Sequence, residues 1–227
     1  MIKYTLILFS ILTSPLLTTA QTLKTESDTH IFWQPNRKLT VADFKGECCT
    51  EERLRDLCKE KNMCTMAYTG FFSILDIPKK KKDRGKLIEK AYFAPAFEKN
   101  TSYMVFKNDT LGIEKQQIVF DIYELAARKV RKDLDDVYKT TNAYGTIHLM
   151  YGKVKDSIDK YRTTLVELFV KDTYLDNREG AYKEWREKID EELDKLRAYA
   201  TTPEDCYRFV LNKPMNEQYV MAEVIYP

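Results

Sequence analysis

Apolar residues recur at helical spacing through the second half of the chain. Three successive stripes carry this spacing: Val119, Ile122, Ala126, Val130 and Val137; Ile158, Leu165, Leu168 and Phe169; and Trp185, Ile189, Leu193 and Leu196. Apolar residues three or four positions apart share one face of an α-helix. The pattern therefore predicts three long helices, each with one buried face.

The first half of the chain is rich in aromatic and β-branched residues, which favour strands. Strands are predicted at Ile31 to Trp33, Met63 to Ile77, Lys86 to Phe97 and Ser102 to Lys107, with a capped turn at Thr40 to Asp43 and a charged helix at Thr50 to Glu60. The second and third strands flank a basic loop and should pair across it. We therefore expect an α+β fold, in which a small, mostly antiparallel sheet is followed by three long helices.

The N-terminal segment predicts export. Residues 1–20 have a basic start, an apolar run interrupted by serine and proline, and a small-x-small sequence that ends at Ala20. This is typical of a signal peptide cleaved near Ala20, and the run is too short and interrupted to span a membrane. We expect a periplasmic or extracellular protein with a signal peptide (1–20), a flexible N-terminus (21–30), one folded domain (31–200) and a C-terminal tail (201–227).

Composition and charge restrict the classes of partner that the protein is expected to bind. The 37 basic and 35 acidic residues nearly balance, whereas a protein that binds nucleic acid needs a basic surface. No later segment is apolar for long enough to cross a bilayer, and the mature chain has enough apolar residues for one core. These features argue against nucleic acid as the main partner and against a membrane span.

The cysteines lie at positions 48, 49, 58, 64 and 206, an odd number. In an exported protein they predict disulfides, among Cys48, Cys49, Cys58 and Cys64, while Cys206 either ties the C-terminal segment back or stays reduced. Neighbouring Cys48 and Cys49 do not easily form one bridge, so the connectivity stays open. A zinc cluster is the alternative, but the paired C-x-x-C spacing of structural zinc sites is absent from the sequence.

The segment from Glu114 to Lys129 carries a specific pattern. It has glutamine at 117, Phe-Asp-Ile at 120–122, Glu-Leu at 124–125 and Ala-Arg-Lys at 127–129. It resembles the active-site helix of a zincin-like, domain-of-unknown-function family of predicted secreted bacterial zinc-dependent peptidases. That helix typically contains H-E-Q-x-H-F-D-I and then an E-L-x-A-R-K-like tail.

A second motif supports the same resemblance. The segment from Phe32 to Gly46 is similar to the family's W-x-x-x-R-x-L-T-W-x-D-F-x-G opening, with Val41 where tryptophan is usual. Looser similarity continues through Ala67 to Gly70, Tyr92 to Ser102 and Tyr174 to Trp185. The resemblance spans about residues 31 to 196 and implies a zincin-like single domain.

The residues at the zinc-binding and catalytic positions differ from those of the family. Lys115 and Val119 occupy the histidine positions and Gln116 the glutamate position, although zincins need two imidazoles for zinc and a carboxylate to activate its water. Family members also tend to carry a histidine in a later turn, where this chain has residues 175–180 without one. The sequence therefore predicts neither a zinc site nor a catalytic residue, although the family uses zinc.

Three polar residues of the motif are retained: Asp121, Glu124 and Arg128. They lie on one flank of the predicted helix, so Asp121 or Glu124 is expected to pair with Arg128 in a structural network. Of the two histidines, His148 is expected to pack in a helix and His30 to lie in the flexible N-terminus.

The sequence favours an exported, zincin-like pseudopeptidase that binds a protein or peptide in the cell envelope or outside the cell. A peptidase scaffold that has lost its metal still offers a sheet edge to an extended peptide. One alternative is an active metallopeptidase with unusual ligands such as Glu114, Asp121, Glu124 or Glu179. The other is a purely structural envelope protein.

Overall fold

Four antiparallel strands form the sheet in the computed structural model, which describes residues 23–48, 51–61 and 63–222. The strands are β1 (His30–Phe32), β2 (Thr65–Pro78), β3 (Lys90–Met104) and β4 (Tyr219–Met221). Their order across the sheet is β1-β3-β2-β4. The two long strands therefore occupy the centre, and each edge carries a strand of only three residues.

The predicted pairing across the basic loop is confirmed, since β2 and β3 form an antiparallel hairpin. The separate strand predicted at Ser102 to Lys107 is wrong, because β3 continues to Met104. An irregularity in the pairing with β2, between Met66 and Tyr68, made one strand look like two in the sequence. At this irregularity the Tyr68 N–H donates to Ser102 Oγ at 2.9 Å instead of to the backbone.

The three predicted long helices are confirmed, and two shorter α-helices accompany them in the part of the chain that the structure describes. The five are α1 (Glu52–Glu60), α2 (Thr110–Thr141), α3 (Thr146–Val170), α4 (Ala181–Lys195) and α5 (Pro203–Leu211). The Asp109 carboxylate caps α2 by accepting from the Gly112 N–H at 2.9 Å. None of the helices in the described residues is long and apolar enough to cross a membrane.

Helix α2 forms the centre of the core. Toward the sheet it packs Ala126, Ala127 and Val130 against Phe93 of β3. On its opposite side, Ile118, Ile122 and Leu125 pack against α3 and α4, through Phe169, Trp185 and Ile189. Leu168, expected in the buried stripe of α3, is 46% exposed, whereas Leu165 and Phe169 of the same stripe are buried.

The segment after residue 200, expected to be a tail, contributes to the core within its described part. Helix α5 covers the face of the sheet opposite α2, where Cys206 packs with Phe32, Ala94 and Ala96. Strand β4 then pairs with the end of β2. The hydrophobic core therefore extends to both faces of the sheet.

Cys58 and Cys64 form a disulfide that joins the end of α1 to the start of β2. Cys206 has a reduced thiol, and its burial raises its pKa to about 12, so it is poorly reactive. The predicted signal peptide and Cys49 lie outside the described residues.

Candidate functional site

Positions 115–119, which match H-E-Q-x-H in the resemblance, lie in the second and third turns of α2. They lie between the start of β2 and a single π-helical turn at Lys171–Leu175. Their burial differs from the expectation that Val119 belongs to the dry core. Val119 is only partly buried, whereas Lys115 and Gln116 are 4% and 8% exposed. The two polar replacements therefore lie deeper than the apolar one.

Lys115 is a buried cation without an ion-pair partner among the described carboxylates. Its Nζ donates to the Thr173 carbonyl at 2.8 Å and lies 4.2 Å from the centre of the Tyr174 ring. The removal of water lowers the pKa of Lys115, and Asp109 opposes that effect only from a distance. One carbonyl and one aromatic face leave donor capacity on an ammonium that has three N–H groups.

Gln116 connects α2 to the first residue of β2. Its Nε2 donates to the Thr65 carbonyl at 3.1 Å and to the Tyr174 hydroxyl at 3.1 Å. Burial raises the pKa of the Tyr174 hydroxyl, which therefore stays neutral. An amide that donates in this way cannot act as the general base of a peptidase.

These side chains do not fit a zinc ion. An ammonium, an amide whose nitrogen faces two oxygens, and a valine offer no set of ligands for it. Among the described residues, no group of three or more His, Cys, Asp or Glu side chains is placed to hold a metal ion. Of the four unusual ligands considered above, Glu114 and Glu179 are exposed at the surface, while Asp121 and Glu124 have other partners.

Asp121 joins three segments of the chain. Its carboxylate accepts from Trp33 Nε1 at 2.7 Å, from Gln117 Nε2 at 2.9 Å and from Arg186 Nη1 at 2.7 Å. Asp121 is 1% exposed. The two motifs that carry the zincin resemblance therefore meet at this carboxylate, through Trp33 of one motif and Gln117 and Asp121 of the other.

Glu124 pairs with Arg128, with 2.8 Å between Oε1 and Nε. Its carboxylate also accepts from the Thr201 N–H at 2.9 Å and from the Thr201 hydroxyl. Burial raises the pKa of Glu124, while Arg131 and Arg128 act in the opposite direction. The ion pair with Arg128 is thus made by Glu124, and Asp121 pairs with Arg186 instead.

A different feature, the outer side of β2, lies next to Gln116. Within the described residues, strand β4 pairs with residues 76–78 of β2, and the Leu75 carbonyl accepts one further bond, from the Ala222 N–H at 2.8 Å. At the other end the Thr65 carbonyl accepts from Gln116. Between these two positions, β2 has no strand partner on that side among residues 23–48, 51–61 and 63–222.

The backbone groups on this side can be assigned from the register. In an antiparallel ladder, alternate residues direct both N–H and C=O to the same neighbour. Leu75 directs its carbonyl away from β3, so the same holds for every second residue before it: Ala67, Thr69, Phe71 and Ser73. We call the stretch from Ala67 to Ser73 the open edge of β2.

The exposure of the two central strands agrees with this assignment. Residues 92–97 of β3 are all buried, whereas residues 66–74 of β2 are all partly or fully exposed, and Tyr68 is 53% exposed. The open edge thus combines backbone groups that lack partners in the described chain with accessible aromatic side chains.

The two histidines contribute nothing to this site. His148 is exposed on α3, so the expectation that it packs in a helix is wrong. His30 lies in β1, and its ring contacts Phe72 with 5.2 Å between centroids, so it does not belong to a flexible segment. No other histidine is present in the chain.

Several residues of the site were missed in the sequence. Arg186 follows Trp185 directly, and its role required the distance to Asp121, which no local pattern contains. The contact between Gln116 and Thr65 likewise joins residues that are 51 positions apart. A signal did exist for Trp33, because a tryptophan at the start of a matched motif, when it is buried, needs a hydrogen-bond acceptor for its indole N–H.

No family model, curated protein or solved structure matches this chain. The resemblance to secreted zinc peptidases therefore rests on the two sequence motifs alone.

Proposed function

We propose that this chain is an exported, zincin-like pseudopeptidase that binds an extended peptide along the open edge of β2. The observation that carries the proposal is the position of that edge. It begins two residues after Thr65, whose carbonyl accepts from Gln116, the residue in the position of the catalytic glutamate. A strand with unpaired backbone groups is a template for an added strand. The chemistry at the motif has been replaced, while the surface beside it is still accessible.

The dimensions of the open edge suit a short peptide. Seven residues of β2, from Ala67 to Ser73, span roughly 20 Å in an extended strand. Four of them direct N–H and C=O groups outward, enough for a ladder with a peptide of about seven residues. Half-buried Phe71 and Phe72 and exposed Tyr68 lie along the same stretch and offer apolar contacts to its side chains.

The first prediction concerns metal and proteolysis. We expect the mature protein, purified without chelator, to carry far less than one zinc per chain and to leave denatured casein intact, because positions 115, 116 and 119 supply neither ligands nor a base. Metal content is measured by plasma mass spectrometry and cleavage by gel electrophoresis. Stoichiometric zinc with chelator-sensitive cleavage would instead establish the metallopeptidase with unusual ligands.

The second prediction concerns the edge itself. We expect Thr69→Pro to weaken binding of a pool of random-sequence decapeptides by about tenfold, because proline removes an outward N–H and its ring obstructs the approaching strand. Proline is tolerated on the free side of a strand, so the pairing of β2 with β3 should persist. Binding is measured by fluorescence anisotropy of the labelled pool.

Thr69→Val is the matched control, since it keeps the N–H and a β-branched side chain. We expect it to bind the pool as the parent does. Equal binding by parent and Thr69→Pro, or no binding by the folded parent at peptide concentrations up to millimolar, would favour the purely structural envelope protein.

A further inference from the structure

Lys115, which occupies a histidine position of the motif, lines a second feature, a surface depression of about 330 Å³. Its walls are Leu111 and Lys115 of α2, Thr173 of the π-helical turn, and residues 177–180 with Tyr182 at the start of α4. The residues of the open edge of β2, from Ala67 to Ser73, are not among these walls.

Lys115 and the start of α4 bring positive charge to the lining of the depression. Lys115 brings a buried charge that only a carbonyl and an aromatic ring contact. Helix α4 begins there after Gly180, which has no side chain to cap the first N–H groups, so the positive end of the helix faces the same space. An isolated buried ammonium costs free energy that an anionic ligand would offset.

The acidic groups around the depression do not neutralise Lys115. Arg178 pairs with Asp172 and Glu184, at 3.5 and 2.8 Å. Glu114 hydrogen-bonds the Tyr182 side chain, and Glu179 is exposed at the rim. The position therefore has a cation and space for a small anion such as a carboxylate, which forms charge-assisted hydrogen bonds with an ammonium.

We propose that Lys115 binds the carboxylate of the peptide that pairs with the open edge of β2, and that this carboxylate is the peptide's C-terminus. The inference rests on the proposed function. A peptide that pairs antiparallel to β2, as β3 and β4 do, runs toward Thr65 and ends beside α2. There Tyr174 joins the two places, since its hydroxyl contacts Gln116 and its ring contacts Lys115.

Capture of a terminal carboxylate would make the chain selective for free C-termini, such as those that proteolysis creates. A peptide that paired parallel to β2 would instead place its N-terminus at Thr65, where Lys115 would repel its ammonium group. The charge at position 115 thus selects both the direction and the end of the peptide.

A titration with a small carboxylate tests the site without the ladder. N-acetylalanine is added to the ¹⁵N-labelled full-length mature protein at constant ionic strength, and N-acetylalaninamide is its neutral control. We expect saturable amide shifts at residues 173–182 with the acid only. Lys115→Met should weaken this binding by about tenfold or more, as expected for loss of one charge-assisted hydrogen bond.

Lys129→Met is the matched control, because Lys129 is on the same helix and over an aromatic ring, with 4.9 Å from Nζ to the centre of Tyr161, but outside the depression. It should bind N-acetylalanine as the parent does. Lys115→Arg keeps the charge and should retain part of the affinity. Shifts that are equal for acid and amide, or unchanged in folded Lys115→Met, would overturn the carboxylate site.

Two peptide pools separate this inference from the proposed function. Both pools lack aspartate and glutamate, and they differ only in a free or an amidated C-terminus. We expect the free-acid pool to bind the parent about tenfold more tightly, the difference to vanish in Lys115→Met, and Thr69→Pro to weaken both pools. A third pool is amidated and carries one added glutamate. If it binds as tightly as the free-acid pool, the carboxylate belongs to a side chain, which overturns the assignment to the C-terminus and supports Lys115 as the residue that binds it.

Failure of the carboxylate site and failure of the peptide-binding edge give different results in these experiments. If both pools bind equally and N-acetylalanine causes no shifts, the edge binds peptides and the carboxylate site is wrong. If N-acetylalanine binds through Lys115 while neither pool binds, the carboxylate site stands and the edge proposal is wrong.

Discussion

Asp76→Asn should lower the free energy of unfolding by about 3–5 kcal/mol, the range for removing one partner of a buried ion pair. Asp76 and Arg208 are 1% and 0% exposed, and two hydrogen bonds of 2.8 Å, from Nε and Nη2, join them. An asparagine keeps the shape but leaves the guanidinium buried without its counter-charge. Urea unfolding followed by circular dichroism measures the change.

The double variant Asp76→Leu with Arg208→Met provides the control. It removes both charges and fills similar volume, so it should be clearly more stable than Asp76→Asn and closer to the parent. This pair attaches α5 to β2, so the result also tests whether the segment after residue 200 is part of the core. A loss below about 1 kcal/mol for Asp76→Asn would show that α5 is not held by this pair.

Asp121→Asn should lower the free energy of unfolding by about 3 kcal/mol, because one of two accepting oxygens becomes an NH₂ donor. Oδ1 accepts from Trp33 and Gln117, and Oδ2 accepts from Arg186. The variant places an NH₂ group against Trp33, Gln117 or Arg186, and one of these donors then lacks an acceptor in the core. Because Asp121 joins both zincin-like motifs, its loss should loosen the contact between the segment of Trp33 and α2.

Asp190→Asn is the matched control for this prediction. Asp190 binds the same guanidinium, with 2.5 Å between Arg186 Nη2 and Oδ1, but its side chain is 62% exposed. An exposed pair contributes little, so the change should stay within about 0.5 kcal/mol. Equal effects of the two variants in urea unfolding would mean that the network at Asp121 is not a buried structural device.

The helices could be predicted from the sequence because their apolar stripes are long and each repeats over several turns. Trp185, Ile189 and Leu193 are all buried on α4, as their spacing indicated. The hairpin of β2 and β3 was predicted for a similar reason, since both strands flank a polar loop. Helix α5 was missed because it is short, with nine residues, and its burial depends on the sheet face that it covers.

The burial of the motif could not be predicted from periodicity. Val119 lies on the apolar stripe of α2, yet Lys115 is the more buried residue, because the π-helical turn brings Thr173 and Tyr174 over it. A long lysine side chain can cross an apolar layer and end at a carbonyl. The sequence shows that residue 115 is a lysine, but it does not show that the Thr173 carbonyl accepts from its ammonium.

The open edge of β2 depends on register. Which residues direct their N–H groups outward follows from the pairing of Leu75 with Ala222, between segments 147 positions apart in the chain, and from the short length of β4. A shift of the strand register by one residue would direct the N–H groups of the alternate residues outward instead. The general expectation of a sheet edge was available from the family resemblance, whereas the strand and the residues were not.

Amide hydrogen exchange along β2 tests the central claim most directly, because it observes each N–H of the open edge. In the free protein, the amides of Ala67, Thr69, Phe71 and Ser73 should exchange far faster than those of Gly70, Phe72 and Ile74, which bond β3. Addition of the free-acid decapeptide pool should protect the first set and leave the second unchanged. Bound peptide without new protection at these four amides, or full protection already in the free protein, would contradict the proposal that β2 offers its open edge to a peptide.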